Sequence, residues 1–252
     1  MLGKILRRSH GFQVDHIGLG VPDTAEGVAW VREQTGASVW LREPRPDQWY
    51  WSGALPIGEK SFLEIIGPNP DWRRFHPFKA VLGELTAPTL LFWYVAVDDF
   101  ERFSRRALKG GIAIENVEAV NVDGRASARA GYRRGYVGPG FMTERPNVIE
   151  WVRHPILGGE GEQAGQCRLV GFSLTNPKAE QLNRAFAHLG IDVRVAEGPS
   201  CIAVEIDTPR GQWRIENAGI SLVMPSMLWT LLGLWWRSLG RGSSRRASNQ
   251  RT

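Results

Sequence analysis

Apolar and polar residues alternate most clearly in the run Val14-Asp15-His16-Ile17-Gly18-Leu19-Gly20-Val21-Pro22-Asp23. Period-two spacing puts Ile17, Leu19 and Val21 on one side of a strand and His16, Gly18 and Gly20 on the other. The first side faces a core. The second carries one imidazole beside two glycines, which leaves the space around His16 open to a ligand or to a second backbone. Asp23 then reads as an N-cap, with Glu26 three residues on to complete a capping box, and the helix runs to Gln34 and stops at Gly36. Strands are predicted at 39–41, at 47–52 around Trp49 and Trp51, and at 60–66, where Glu64 stands among Phe62, Leu63, Ile65 and Ile66. The unit reads βαβββ.

The same order returns twice. A strand at 90–97 leads to a helix with Phe100, Phe103 and Ala107 on one face, ended by Gly110-Gly111; strands at 114–120, 126–136 and 147–152 follow, the last carrying Glu150 in Val148-Ile149-Glu150-Trp151. After a Gly-rich connector at 158–165 comes a strand at 169–174. Asn176 then caps a helix with Pro177 at its first position and Leu182, Phe186 and Leu189 on its apolar face, and strands at 192–195, 201–207 and 212–216 complete the unit. The helix stops Gly36, Gly110 and Gly190 recur at intervals of 74 and 80 residues, so an internal repeat describes the chain better than one continuous pattern. The expected class is α+β, built of tandem βαβββ modules: a pair over 11–157 enclosing a ligand cup, and a third over 166–217.

The remainder differs in kind. Residues 220–236 form 17 consecutive uncharged positions, and a helix over 219–239 would be apolar around most of its circumference. Its host is a bilayer surface, a second copy in a homodimer, or the protein's own surface. Paired tryptophans beside an arginine-rich end favour a peripheral membrane contact through 220–239. The tail at 240–252 reads as disordered.

Composition narrows the classes. With 252 residues, 42% of them hydrophobic, the chain can bury a substantial core without disulfides, and Cys167 and Cys201 supply one bridge at most. Residues 1–10 lack the apolar core of a signal peptide, so a cytoplasmic, reducing setting is expected, at the inner face of the membrane if the helix meets lipid. The net charge of +5 resides in Arg237, Arg241, Arg245, Arg246 and Arg251; without these five the chain has 26 basic and 26 acidic side chains. That balance argues against a nucleic-acid partner and leaves a small molecule as the expected ligand.

Several motifs together carry a family resemblance: Asp15-His16-Ile17 with Val21-Pro22-Asp23, the strand Phe62-Leu63-Glu64-Ile65-Ile66-Gly67-Pro68, the strand at 93–99, Pro146-Asn147-Val148-Ile149-Glu150-Trp151 followed by His154-Pro155, and Asp207-Thr208-Pro209-Arg210-Gly211. Over residues 13–217 the chain resembles the glyoxalase-like domain proteins of the vicinal oxygen chelate superfamily. The resemblance implies βαβββ modules around a central cavity, often with a divalent metal held by first and last strands. His16, Glu64 and Glu150 fall in three of the implied ligand positions; near Phe92, where a second histidine would sit, the residue is aromatic.

One imidazole and two carboxylates suit a divalent ion such as Zn, Fe, Mn or Ni, which would polarise a substrate carbonyl. Glu64 and Glu150 would double as catalytic proton carriers, since an apolar cup raises a carboxylate's pKa. Without an ion, His16 can act alone as a base. Arg42 and Arg134 are expected to contact substrate, with Arg45, Arg125, Arg129 and Arg133 also near the rim. Trp51 and Trp93, like Trp49 and Trp151, are candidate walls. His76 falls in an inter-module loop and is given no role. The first functional reading is a metal-assisted lyase, isomerase or dioxygenase acting on a small oxygenated compound. The alternative is a metal-free protein that binds or sequesters a small molecule.

Overall fold

The computed structural model describes residues 14–120, 131–138, 145–152 and 165–217; the expected helix at 219–239, the tail, Arg125, Arg129 and His154 lie outside them. The first module is β1 (Val14–Gly20), α1 (Thr24–Thr35), β2 (Trp40–Leu41), β3 (Tyr50–Pro56) and β4 (Phe62–Pro68). Asp23 caps α1 by accepting the Glu26 N–H at 2.9 Å, and Gly36 ends the helix in the left-handed region at φ 68°. A short helix, α2 (Pro77–Gly83), occupies part of the segment read from sequence as a loop. The second module is β5 (Thr89–Ala96), α3 (Phe100–Lys109), β6 (Ile114–Val120), β7 (Tyr132–Val137) and β8 (Asn147–Trp151). The third set is β9 (Arg168–Thr175), α4 (Ala179–Leu189), β10 (Val195–Ala196), β11 (Cys201–Thr208) and β12 (Gly211–Asn217).

Strands of the first two modules form one eight-stranded sheet, ordered β2-β3-β4-β1-β5-β8-β7-β6. Within each module the first strand runs parallel to the last, β1 beside β4 and β5 beside β8, and the modules join through the antiparallel β1–β5 pair. The third set keeps the βαβββ order along the chain but pairs differently. Its sheet is β10-β9-β11-β12, with β9 parallel to β10 and antiparallel to β11. Asn176 does not cap α4 directly: its side chain accepts the Lys178 N–H at 2.7 Å in a preceding turn, and the helix starts at Ala179.

Alternation divides the large sheet's side chains between two cores. Ile17, Leu19, Leu63, Ile65, Trp93 and Val148 belong to the core shared with α1, α3 and the third set, where Phe186, Val204 and Ile206 complete it. Ile66, Phe92, Tyr94, Tyr136 and Ile149 belong to a second core with Phe78, Val81 and Leu82 of α2. The third set is tied to the first module through the Leu169 N–H to the Ile57 carbonyl at 2.7 Å, and to β5 through the Asn217 amide, which donates to the Leu90 carbonyl.

The β1–β5 ladder shifts register between Gly18 and Leu19, with Gly18 opposite Phe92 but Leu19 opposite Leu90. The extra residue lets Leu91 and Phe92 both turn to the α2 side, as a β-bulge does. They fill the room left by the glycines: a Cβ on Gly18 would lie 2.2 Å from Phe92 Cζ, and one on Gly20 2.3 Å from Leu91 Cδ1. The glycine face, expected to stand open to a ligand or to a second backbone, is therefore packed by side chains of β5. Among the described residues no helix is long and apolar enough to cross a membrane.

Candidate functional site

His16 is fixed on β1 by its neighbours in three directions. Its ring stacks on Phe62 and Tyr94, with centroids 4.7 and 4.1 Å away, and Phe92 meets it edge-on at 6.2 Å. Asp15 should face the opposite side of a regular strand. A second register shift, between Val14 and Ile17, relaxes that alternation, and Asp15 Oδ1 lies 2.5 Å from His16 Nδ1. Asp15 Oδ2 accepts the Trp151 Nε1–H at 2.8 Å, so this 1% exposed carboxylate has a partner on each oxygen. An ionised carboxylate only accepts hydrogen bonds. With Asp15 ionised, Nδ1 carries the hydrogen and Nε2 presents its lone pair on the other edge of the ring. Nε2 stands 3.9 Å from Glu64 Oε2, too far for a hydrogen bond.

His16, Glu64, Phe62, Phe92, Tyr94 and Trp151 line a cavity of about 370 Å³, with Asp15 behind His16. All four tyrosines of the chain, Tyr50, Tyr94, Tyr132 and Tyr136, contribute to it. Burial pushes each phenol above its ordinary pKa, so all four stay neutral and able to donate. Another wall is the stack of Trp49 on His76, 4.1 Å between centroids, with Phe78 beside it. Burial lowers the pKa of His76 to about 4, so its ring is neutral at physiological pH.

Two cations line the cavity. Arg134 Nε donates to Glu118 Oε1. Burial opposes the charge of Arg134, but its acidic surroundings, of which Glu118 is the group ionised at neutral pH, outweigh it and raise its pKa well above the usual value. Arg42 lies over the Trp40 ring at 5.2 Å.

Of the residues expected at the site, His16, Glu64, Arg42 and Arg134 line one cavity, as do Trp49 and Trp151. Glu150 does not. The register Tyr94 opposite Asn147 puts Asn147, Ile149 and Trp151 on the His16 face and turns Glu150 to the helix side, where its Oε1 accepts the Phe100 N–H at 3.2 Å, at the start of α3. Trp93 also faces away: it is fully buried against Phe172 and Phe186, 5.0 and 5.9 Å between centroids. Trp51 is not a cavity residue either; it sits opposite Gly67, and its Nε1–H is spent on the Arg42 carbonyl at 2.5 Å. Of the other rim arginines, Arg45 pairs with Asp47 at 2.8 Å and Arg133 with Glu101 at 2.7 Å.

The metal implied by the resemblance needs donors that converge. Glu150 is on the other face, Phe92 occupies a further ligand position with a ring, and Asp15 is engaged by His16 and Trp151. Among the described residues no group of three or more His, Cys, Asp or Glu side chains is placed to share an ion. This donor set does not fit a divalent metal of the expected kind.

Comparison with known proteins follows the same lines. A family model described as a glyoxalase-like domain matches residues 14–190. A hypothetical protein from Staphylococcus aureus is 9% identical with a TM-score of 0.50, over 75% of this chain and 87% of its own. Methylmalonyl-CoA epimerase from Streptomyces coelicolor is 18% identical with a TM-score of 0.43, over 56% of this chain and 99% of its own. A mutant 4-hydroxymandelate synthase from Streptomyces coelicolor is 11% identical with a TM-score of 0.49, over 85% and 65% respectively. No curated protein sequence matches. At such identities the likeness concerns the fold alone.

Proposed function

The chain belongs to the glyoxalase-like domain family, and we propose that its cavity binds a small oxygenated molecule to or from which His16, oriented by Asp15, moves a proton. The observation that carries this reading is the 2.5 Å contact between Asp15 Oδ1 and His16 Nδ1, which leaves Nε2 as the ring's proton acceptor. His16 Nε2 takes a proton from a carbon acid, Glu64 and Asp15 stabilise the resulting imidazolium, and neutral phenols such as Tyr94 and Tyr132 donate to the oxygen on which charge develops. A base positioned in this way contributes about 10²- to 10⁴-fold in rate. No step passes through a metal.

A second reading is supported by the aromatic walls, Trp49, Phe78 and Trp151, around a volume suited to a small ligand: a protein that holds such a molecule without transforming it. Solvent-deuterium exchange separates the two. Small ketones and 2-oxo acids are incubated with the protein in D2O, exchange of their acidic C–H is followed by proton NMR, and binding is followed by tryptophan fluorescence. Proton transfer predicts exchange with at least one compound, slowed about 10²-fold or more in His16→Ala. Binding with exchange no faster than in buffer, for the wild type and His16→Ala alike, would favour sequestration.

A further inference from the structure

We propose that Arg42 selects the ligand's charge, and that the ligand is a monocarboxylate on a flat, apolar body; this rests on the reading of the cavity as a small-molecule site. Among the described residues, the charged groups around the cavity are matched with one exception. Arg134 has Glu118, and His16 has Asp15 with Glu64 nearby. Arg42 has no ion pair among the described residues, and its Nε is buried with no hydrogen-bond partner. A guanidinium keeps its charge at any physiological pH, so this N–H calls for an acceptor beyond the described residues, which a bound ligand would supply.

The backbone at Arg42 is anchored: its amide N–H donates to the Ser52 carbonyl at 3.2 Å and its carbonyl accepts the Trp51 Nε1–H at 2.5 Å, while the guanidinium lies over Trp40. Its positive charge acts on Tyr50 and Tyr132, two phenols of the cavity wall. A planar donor fork that lines the cavity matches a carboxylate, which can accept two parallel N–H bonds and leave the phenols to meet its remaining lone pairs. The Trp49–His76 stack and the ring of Trp151 suit a flat apolar body. A second carboxylate on the ligand would have to displace Glu118 from Arg134 or lie against Glu64. One anionic group is therefore accepted and two are not.

The test uses paired probes that differ in charge but little in shape: benzoate with benzamide, phenylacetate with phenylacetamide, and phthalate as a dianion, titrated calorimetrically near pH 7 into the full chain. At least one acid binds about tenfold or more tightly than its amide, and phthalate binds no more tightly than benzoate. Arg42→Gln reduces each acid to the affinity of its amide while amide binding persists, which also shows that the variant is folded. Arg42→Lys, which keeps the charge but loses the fork, retains part of the preference. The proposal is overturned if acids and amides bind alike, if Arg42→Gln keeps the acid preference, if phthalate binds best, or if no probe binds. Equal affinities combined with His16-dependent deuterium exchange would remove the role of Arg42 alone. An Arg42-dependent acid preference without such exchange would remove proton transfer alone.

Discussion

At the scale of single residues, two histidines of one cavity are put to different uses by their surroundings. His16 has a buried carboxylate on Nδ1 and an aromatic ring on each face, so its orientation and tautomer are set before any ligand arrives. His76 stacks on Trp49, and burial takes its pKa from 6.5 down to about 4. In the unfolded chain His76 takes up a proton as the pH falls through about 6.5, whereas in the folded protein it stays neutral until about 4. Its contribution is therefore complete above the ordinary imidazole range and declines as the pH drops from 6.5 towards 4. Because the ring is only partly buried, the effect is of order 1 kcal/mol. Urea unfolding at about pH 7.5 and pH 5 should show a larger loss of stability on acidification for the wild type than for His76→Phe; equal losses would contradict this assignment.

At the scale of elements, the bulge in β5 and the glycines of β1 form one packing unit. Gly18→Ala places a methyl group inside the Phe92 ring and should cost about 1–3 kcal/mol in denaturant unfolding. The double variant Gly18→Ala/Phe92→Ala should be more stable than the sum of the two single effects. Strict additivity would mean that the ring does not occupy the space left by Gly18.

The same elements show how far the sequence could be read. In the first two modules the βαβββ order is legible because alternation marks the strands and capping residues with glycines bound the helices. On β1, alternation with Gly18 and Gly20 gives His16 its face, whereas Glu64 stands among four apolar residues and joins that face only through the β1–β4 register. In Val148-Ile149-Glu150-Trp151 nearly every neighbour is apolar on both sides, so alternation leaves the phase open, and only the register with β5 turns Glu150 away. Trp93 is ambiguous for the same reason. Asp15 enters the site through a register shift that no local pattern announces. The tyrosines lie on β3, β5 and β7 and meet only once the sheet is assembled. The pairing of the third set is not legible either, since one chain order serves two topologies.

At the scale of the whole molecule, the eight-stranded sheet separates structural from chemical duties. One face is buried by α1, α3 and the third set, whose core continues that of the sheet. The opposite face carries α2 and the cavity, so His16, Glu64 and the four tyrosines stand on the side away from the third set. The family fold is kept, while on that face the described donors include a carboxylate–imidazole pair and no group of three placed to share an ion. The most direct measurement is the rate of deuterium exchange into a responsive substrate before and after exhaustive dialysis against a chelator, with the metal content of both samples recorded. Proton transfer by Asp15 and His16 predicts the same rate in both samples, whatever trace metal the first contains. A rate that disappears with the metal and returns on adding Zn, Fe, Mn or Ni would contradict the account.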